Sequence, residues 1–206
     1  INGIRVVVIL LVAFAVYLTQ QTPSLSAVAT SDGSRKSFMQ KKKTLGGGGS
    51  VTVTTREINS YLAGLLPRIK EGKAVKFDCL QVALGNDTNK DNNKGNGKNK
   101  DKNNNDIGIR MYVRVFGKKM VFQLFGKLEK SNGKVRFSPT TFAKIGKLPY
   151  PSFLMKMHCK NILSNLKSDR ELFEKLTEAT IKEVKTRRGG KTVTTTAIAL
   201  KTGGKS

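Results

Sequence analysis

The residues best equipped for chemistry are few. His158 is the single histidine of the chain and stands beside Cys159, one of two cysteines. A thiolate touching an imidazole makes a nucleophile and its base. Neighbours on a helix, however, project about 100° apart, so adjacency in sequence is not contact in space. His158 is therefore expected at the edge of a helix face. Cys79 and Cys159 permit one disulfide in an oxidising compartment, with buried free thiols as the alternative. The carboxylates of the body, such as Glu57, Asp78, Glu129 and Asp169, read as helix caps or surface groups, and no pair is set for hydrolysis. Asp and Asn alternate in D-T-N-K-D-N-N-K-G, but the terminal Glu that a calcium loop needs is missing. No glycine-rich phosphate loop follows a strand. The sequence does not read as an enzyme, and no catalytic residue, metal site or cofactor is assigned.

Charge offers more. The formal net charge is +24, and residues 107–206, with twenty-two basic and six acidic residues, supply +16 of it. Such a body attracts polyanions: anionic lipid head groups, an acidic cell-wall polymer or, less favoured, nucleic acid. The candidate contacts are Arg110, Arg114, Lys127, Arg136, Arg187 and Arg188. Arg110 and Arg114 share a strand face, and Lys127 and Arg136 are expected to neighbour them across hairpins. Nucleic acid is disfavoured because no recognisable RNA- or DNA-binding signature accompanies the charge.

The elements that must position these groups begin with an address. Val6 to Leu18 is an unbroken apolar run preceded by Arg5. It is shorter than the roughly 20 residues of a perpendicular span and fits the apolar core of a signal peptide. Residues 1–29 are thus expected to be a signal peptide cleaved after Ala29, or a retained membrane anchor. Either way the body would sit outside the cytoplasm, in the cell envelope or secreted. Residues 30–50, with Lys41-Lys42-Lys43 and a Gly46–Ser50 run, are expected to form a flexible linker. Residues 51–200 are the folded domain, interrupted by an Asn/Lys-rich insert at 85–106 that cannot bury a core, and 201–206 are a tail.

Within the domain, Val51–Thr54 reads as a strand. Thr54 and Glu57 form a capping box for a helix whose apolar face is Ile58, Tyr61, Leu62, Leu65 and Leu66, ended by Pro67. Residues 74–84 read as a strand whose inward set shifts phase near Cys79 and Leu80, the mark of a bulge. Ile107–Phe116 and Met120–Glu129 alternate as a hairpin around Gly117-Lys118, and Ser131-Asn132-Gly133 leads to a third strand with Val135 and Phe137 inward. Ala143–Pro151 reads as a rigid crossing segment. A helix through Phe153, Leu154, Met157, Ile162, Leu163 and Leu166 follows, then a short helix capped by Asp169 and reaching Leu176. The chain closes in a hairpin over Thr180–Arg188 and Lys191–Leu200, with helix through Val184 as the competing expectation.

The order V-T-V-T-T-R-E-I-N-S-Y-L-A at 51–63, a long hairpin, and F-A-K-I-G-K-L-P-Y-P at 142–151 resembles a set of uncharacterised bacterial proteins. Those carry a signal or membrane anchor and one extracytoplasmic domain; more distantly, the pattern is similar to tubular lipid-binding domains. The expected fold class is α+β: a curved antiparallel sheet of about five to seven strands packed on two or three helices, preceded by the apolar segment. The expected role is that of a non-enzymatic, envelope-associated protein holding a lipid or other apolar ligand between sheet and helices. Tyr112, Phe116, Val121 and Phe125 are the candidates, because a solvated outer sheet face would be polar there. The alternative is the basic polyanion-binding module.

Overall fold

The computed structural model describes residues 30–68, 75–85, 106–140, 142–153, 174–188 and 191–203, together with Ala13, Tyr17, Thr19 and Leu172. The leader run apart from Ala13 and Tyr17, insert positions 86–105, and the helix expected beyond Phe153 with His158 and Cys159 lie outside the described residues. So do most of the short helix expected after Asp169 and the tail from Gly204 on. Among the described residues no helix is long and apolar enough to cross a membrane.

The chain is α+β, with two helices and two antiparallel sheets packed together. Residues 30–50, expected to be a flexible linker, instead carry helix α1 over Asp32–Gly46. Its Ser31 cap accepts from the Ser34 N–H at 3.2 Å. The Lys, Gln, Met and Leu of residues 36–45 lose little rotamer freedom in a helix, and tertiary packing supplies the rest. Leu45 is buried, and Phe38 stacks on Tyr61 with ring centroids 4.5 Å apart.

Strand β1 (Ser50–Thr54) runs directly into helix α2 (Thr55–Ala63). The capping box is present: the Glu57 N–H donates to the Thr54 hydroxyl, and the Thr54 N–H donates to the Glu57 carboxylate. The helix ends at Ala63 with Gly64 as its cap, and Pro67 lies in a following 3-10 turn, Leu66–Arg68.

One sheet was expected; two form. The smaller has the order β1-β9-β8, with β8 at Leu176–Arg188 and β9 at Lys191–Thr202. Leu176, expected in a helix, opens β8 and is buried there, and β8 is strand throughout, so the helical alternative through Val184 is not adopted. The larger sheet has β2 (Val75–Leu84), β3 (Asp106–Val115), β4 (Lys118–Ser131), β6 (Phe142–Ile145) and β7 (Leu148–Pro151) in that order. Strand β5 (Lys134–Pro139) pairs with the far half of β4. The segment read as a rigid crossing is the β6–β7 hairpin, turned by Gly146 with φ +60°. Its prolines fit because Pro149 and Pro151 sit on β7, at the end of the strand order, where fewer ladder donors are required.

Strand β2 carries the expected bulge, but earlier than the phase change near Cys79 and Leu80 placed it: the register shifts between Phe77 and Cys79. The core is Val53 and Ile198 of the small sheet against Leu84 and Ile107 of the large one, with Phe38, Ile58, Leu128 and Phe137 packed around them. Burying each such aliphatic side chain contributes about 1.5–3 kcal/mol.

Candidate functional site

The register of the large sheet places the sequence candidates in rows. On one face Gln81, Arg110 and Gln123 are aligned across β2, β3 and β4, with Lys144 beside Gln123 on β6. The next row is Cys79, Tyr112 and Val121. Arg110, at 7% exposure, is buried with Gln81 and Gln123 rather than offered to solvent. That corrects its placement on an exposed basic surface: the middle of the face expected to be outer is buried, and only its two ends reach water. Burial raises the Cys79 thiol above its usual range, with the charge of Asp78 adding to it and a hydrogen bond with Gln81 opposing it. A thiol held protonated is a poor nucleophile.

Arg114 lies four residues on from Arg110, two steps along the same face and nearer the hairpin end. The bulge throws Asp78 out of the ladder and into reach of it. The Arg114 guanidinium donates to Asp78 Oδ1 from Nη2 at 2.6 Å and from Nε at 2.8 Å. Lys127 and Arg136 are exposed at the opposite end of the sheet, where β4 pairs with β5. Register puts both on the face of Arg110 and Arg114. Arg187 and Arg188 close β8 in the other sheet; their side chains lie outside the described residues.

The four apolar candidates do not form one patch. Tyr112 and Val121 oppose each other in the register and are buried. Phe125 is half-buried, with the Lys144 ammonium 6.0 Å from its ring centre. Phe116 leaves the strand altogether. Val115 pairs with Lys118, so the turn is Phe116-Gly117 rather than Gly117-Lys118. Both turn residues have positive φ, +49° and +81°, the type I′ pattern. Phe116 stands 84% exposed at the tip.

Around the tip the exposed side chains are Lys118 and Lys119 on β4, Lys76 on β2, and Lys147 in the β6–β7 turn. Lys119 pairs with Arg114, and Arg114 with Lys76, so three basic residues cross the sheet end in one row. Lys147 follows Gly146, whose N–H donates to Val121 O at 2.8 Å, which holds that turn beside the hairpin.

Elsewhere, Lys41 and Lys42 of the lysine triplet are engaged with α2. Lys41 pairs with Glu57 at 2.7 Å. Lys42 donates to the Tyr61 hydroxyl at 3.1 Å. An open hollow of about 410 Å³ at the start of α1 is lined by Asp32, Arg35, Lys36, Met39 and Gln40. Among the described residues no three His, Cys, Asp or Glu side chains converge as a metal cluster would require.

Sequence reasoning missed the tip because it shifted the turn by one residue and drew Phe116 onto a strand face. The available signal was the two-residue spacing that ends in Gly117. It also missed Asn59, whose side chain binds the backbone of β2. No protein-family model matches this chain, and neither does any curated protein or solved structure.

Proposed function

We propose that this chain is a non-catalytic binding module of the cell envelope, carried there by its apolar leader, and that its folded body docks on polyanionic material. The observation that carries this reading is the charge at the two ends of the large sheet. Lys76, Lys118, Lys119 and Lys147 are exposed at one end, beside an Arg114 whose charge Asp78 offsets; Lys127, Lys130, Lys134 and Arg136 are exposed at the other. Glu129 is the exposed acid among the described residues of that sheet. A surface so biased raises the local concentration of phosphate- or carboxylate-rich partners and speeds their capture.

A binding role also suits the carboxylates. Glu57 is tied up in the helix cap and with Lys41, Asp78 holds Arg114, and Glu178 lies 3.7 Å from Lys201. Between the two sheets Val53, Leu84, Ile107 and Ile198 pack against one another, and the polyanion reading draws more support than an apolar ligand held there.

Binding of the full chain to inorganic polyphosphate, titrated with salt, tests the proposal. With about five phosphates neutralised, affinity should fall about a hundredfold between about 50 and 200 mM salt. Salt-insensitive uptake of a fluorescent fatty acid, with no polyphosphate bound at low salt, would overturn it in favour of the apolar-ligand reading.

A further inference from the structure

The β3–β4 turn joins two features that are individually unfavourable. A bulky aromatic side chain occupies a left-handed backbone position, and that side chain is left in water. The same sheet shows the ordinary solution: the β4–β5 turn has the same pattern of positive φ, +51° and +71°, but uses Asn132-Gly133. Asn tolerates left-handed φ, whereas for a bulky residue such as Phe it is a costly exception. At the equivalent position of the other turn stands Phe116, 84% exposed. Neither folding nor solubility is served by that choice, which directs attention to something outside the molecule.

We propose that this tip is a membrane-contact site: Phe116 enters the interfacial layer of an anionic bilayer while Lys118, Lys119, Lys76 and Lys147 hold lipid phosphates around it. The inference rests on the polyanion reading and narrows its ligand to a bilayer surface. Shape decides for a bilayer over a folded partner. A stable protein interface buries about 800 Å² on each side, whereas a single protruding aromatic ring supplies about 200 Å² at most. A two-residue tip with one ring and a collar of flexible ammonium groups suits a soft, wet, negatively charged layer. The ring leaves water for the boundary between head groups and acyl chains, and each lysine keeps its charge at head-group level. Asp78, the nearby described carboxylate, is neutralised by Arg114 and does not repel the surface.

The chain contains no tryptophan, so Phe116→Trp creates a single reporter at the tip. The full-length variant is mixed with vesicles of equal parts phosphatidylglycerol and phosphatidylcholine, and separately with phosphatidylcholine alone. The expected result is a blue shift of emission, with quenching by brominated acyl chains, on the anionic vesicles only. Because the reporter sits at the tip, adhesion through the leader does not imitate this signal. Replacing Lys118 or Lys119 by Ala should weaken the response about fivefold for each lysine removed. Phe116→Asn should lose about tenfold in affinity for anionic vesicles while keeping polyphosphate binding and an equal or higher thermal midpoint. Emission that stays water-like on anionic vesicles, with polyphosphate still bound, overturns the tip and leaves the polyanion reading standing. Loss of both overturns both. A blue shift that grows with protein concentration before any lipid is added would mean that a second copy covers the ring, and also overturns the proposal.

Discussion

Glu57 joins the two helices at a single carboxylate. Its oxygens accept from the Thr54 N–H at 2.8 Å, from Ser37 at 2.5 Å and from Lys41 at 2.7 and 2.8 Å. Burial pushes its pKa up, but the hydrogen bonds from Lys41, Ser37 and Thr54, with the Lys41 charge, outweigh burial and hold it below 4.5. Because the folded value is the lower one, the carboxylate's contribution is full above the unfolded value and is lost as pH falls through the folded one. Stability attributable to Glu57 should therefore be constant near neutrality and decline on acidification below about pH 4.5. Urea midpoints measured across that range should show a decline that Glu57→Gln reduces. The same substitution should cost about 1–2 kcal/mol at pH 7.

Between elements, the binding of α2 to the large sheet depends on one buried amide. Asn59 is 1% exposed. Its Nδ2 donates to Val82 O at 2.9 Å, and its Oδ1 accepts from the Val82 N–H at 2.7 Å. Strand β2 ends the strand order, so among the described residues no further strand pairs with these backbone groups. Asn59 satisfies them as a strand would, and covers an edge otherwise open to pairing with another chain. Asn59→Leu should cost about 2–4 kcal/mol, because two backbone groups lose their partners beneath a helix; chemical denaturation measures it. A second close junction lies where β5 meets β4. A Cβ on Gly126 would collide with the Ser138 carbonyl and come within 2.7 Å of the Phe137 ring. Gly126→Ala should cost about 1–3 kcal/mol in the same assay, by forcing that pairing apart.

At the scale of the whole molecule, the closure between β1 and β9 brings together segments from opposite ends of the domain. Val53 pairs with Ile198, and the Thr202 hydroxyl donates to Leu45 O at 2.6 Å. Helix α1 is therefore held by both α2 and the last strand, and the region expected to be a linker belongs to the body. The net charge then surrounds a folded surface. The basic residues at both ends of the large sheet stand on hydrogen-bonded strands and tight turns, so their spacing is kept when the chain meets a charged surface.

Short-range patterns were enough to locate the capping box at Thr54 and Glu57, the β4–β5 hairpin and the closing β8–β9 hairpin, and to expect a bulge in β2, though not at its position before Cys79. Each depends on contacts a few residues apart or on a period of two, which are properties of the chain itself. Composition alone misjudged residues 30–50, because a largely polar helix forms when Phe38 stacks on Tyr61 of α2 and the Leu45 carbonyl accepts from the Thr202 hydroxyl. The division of the strands into two sheets, the burial of Arg110 and the capture of Arg114 by Asp78 also required the tertiary structure. Alternation along a strand distinguishes its two faces but does not say what will cover each of them. Sequence determined which residues carry charge; packing between distant segments determined which of those charges reach water.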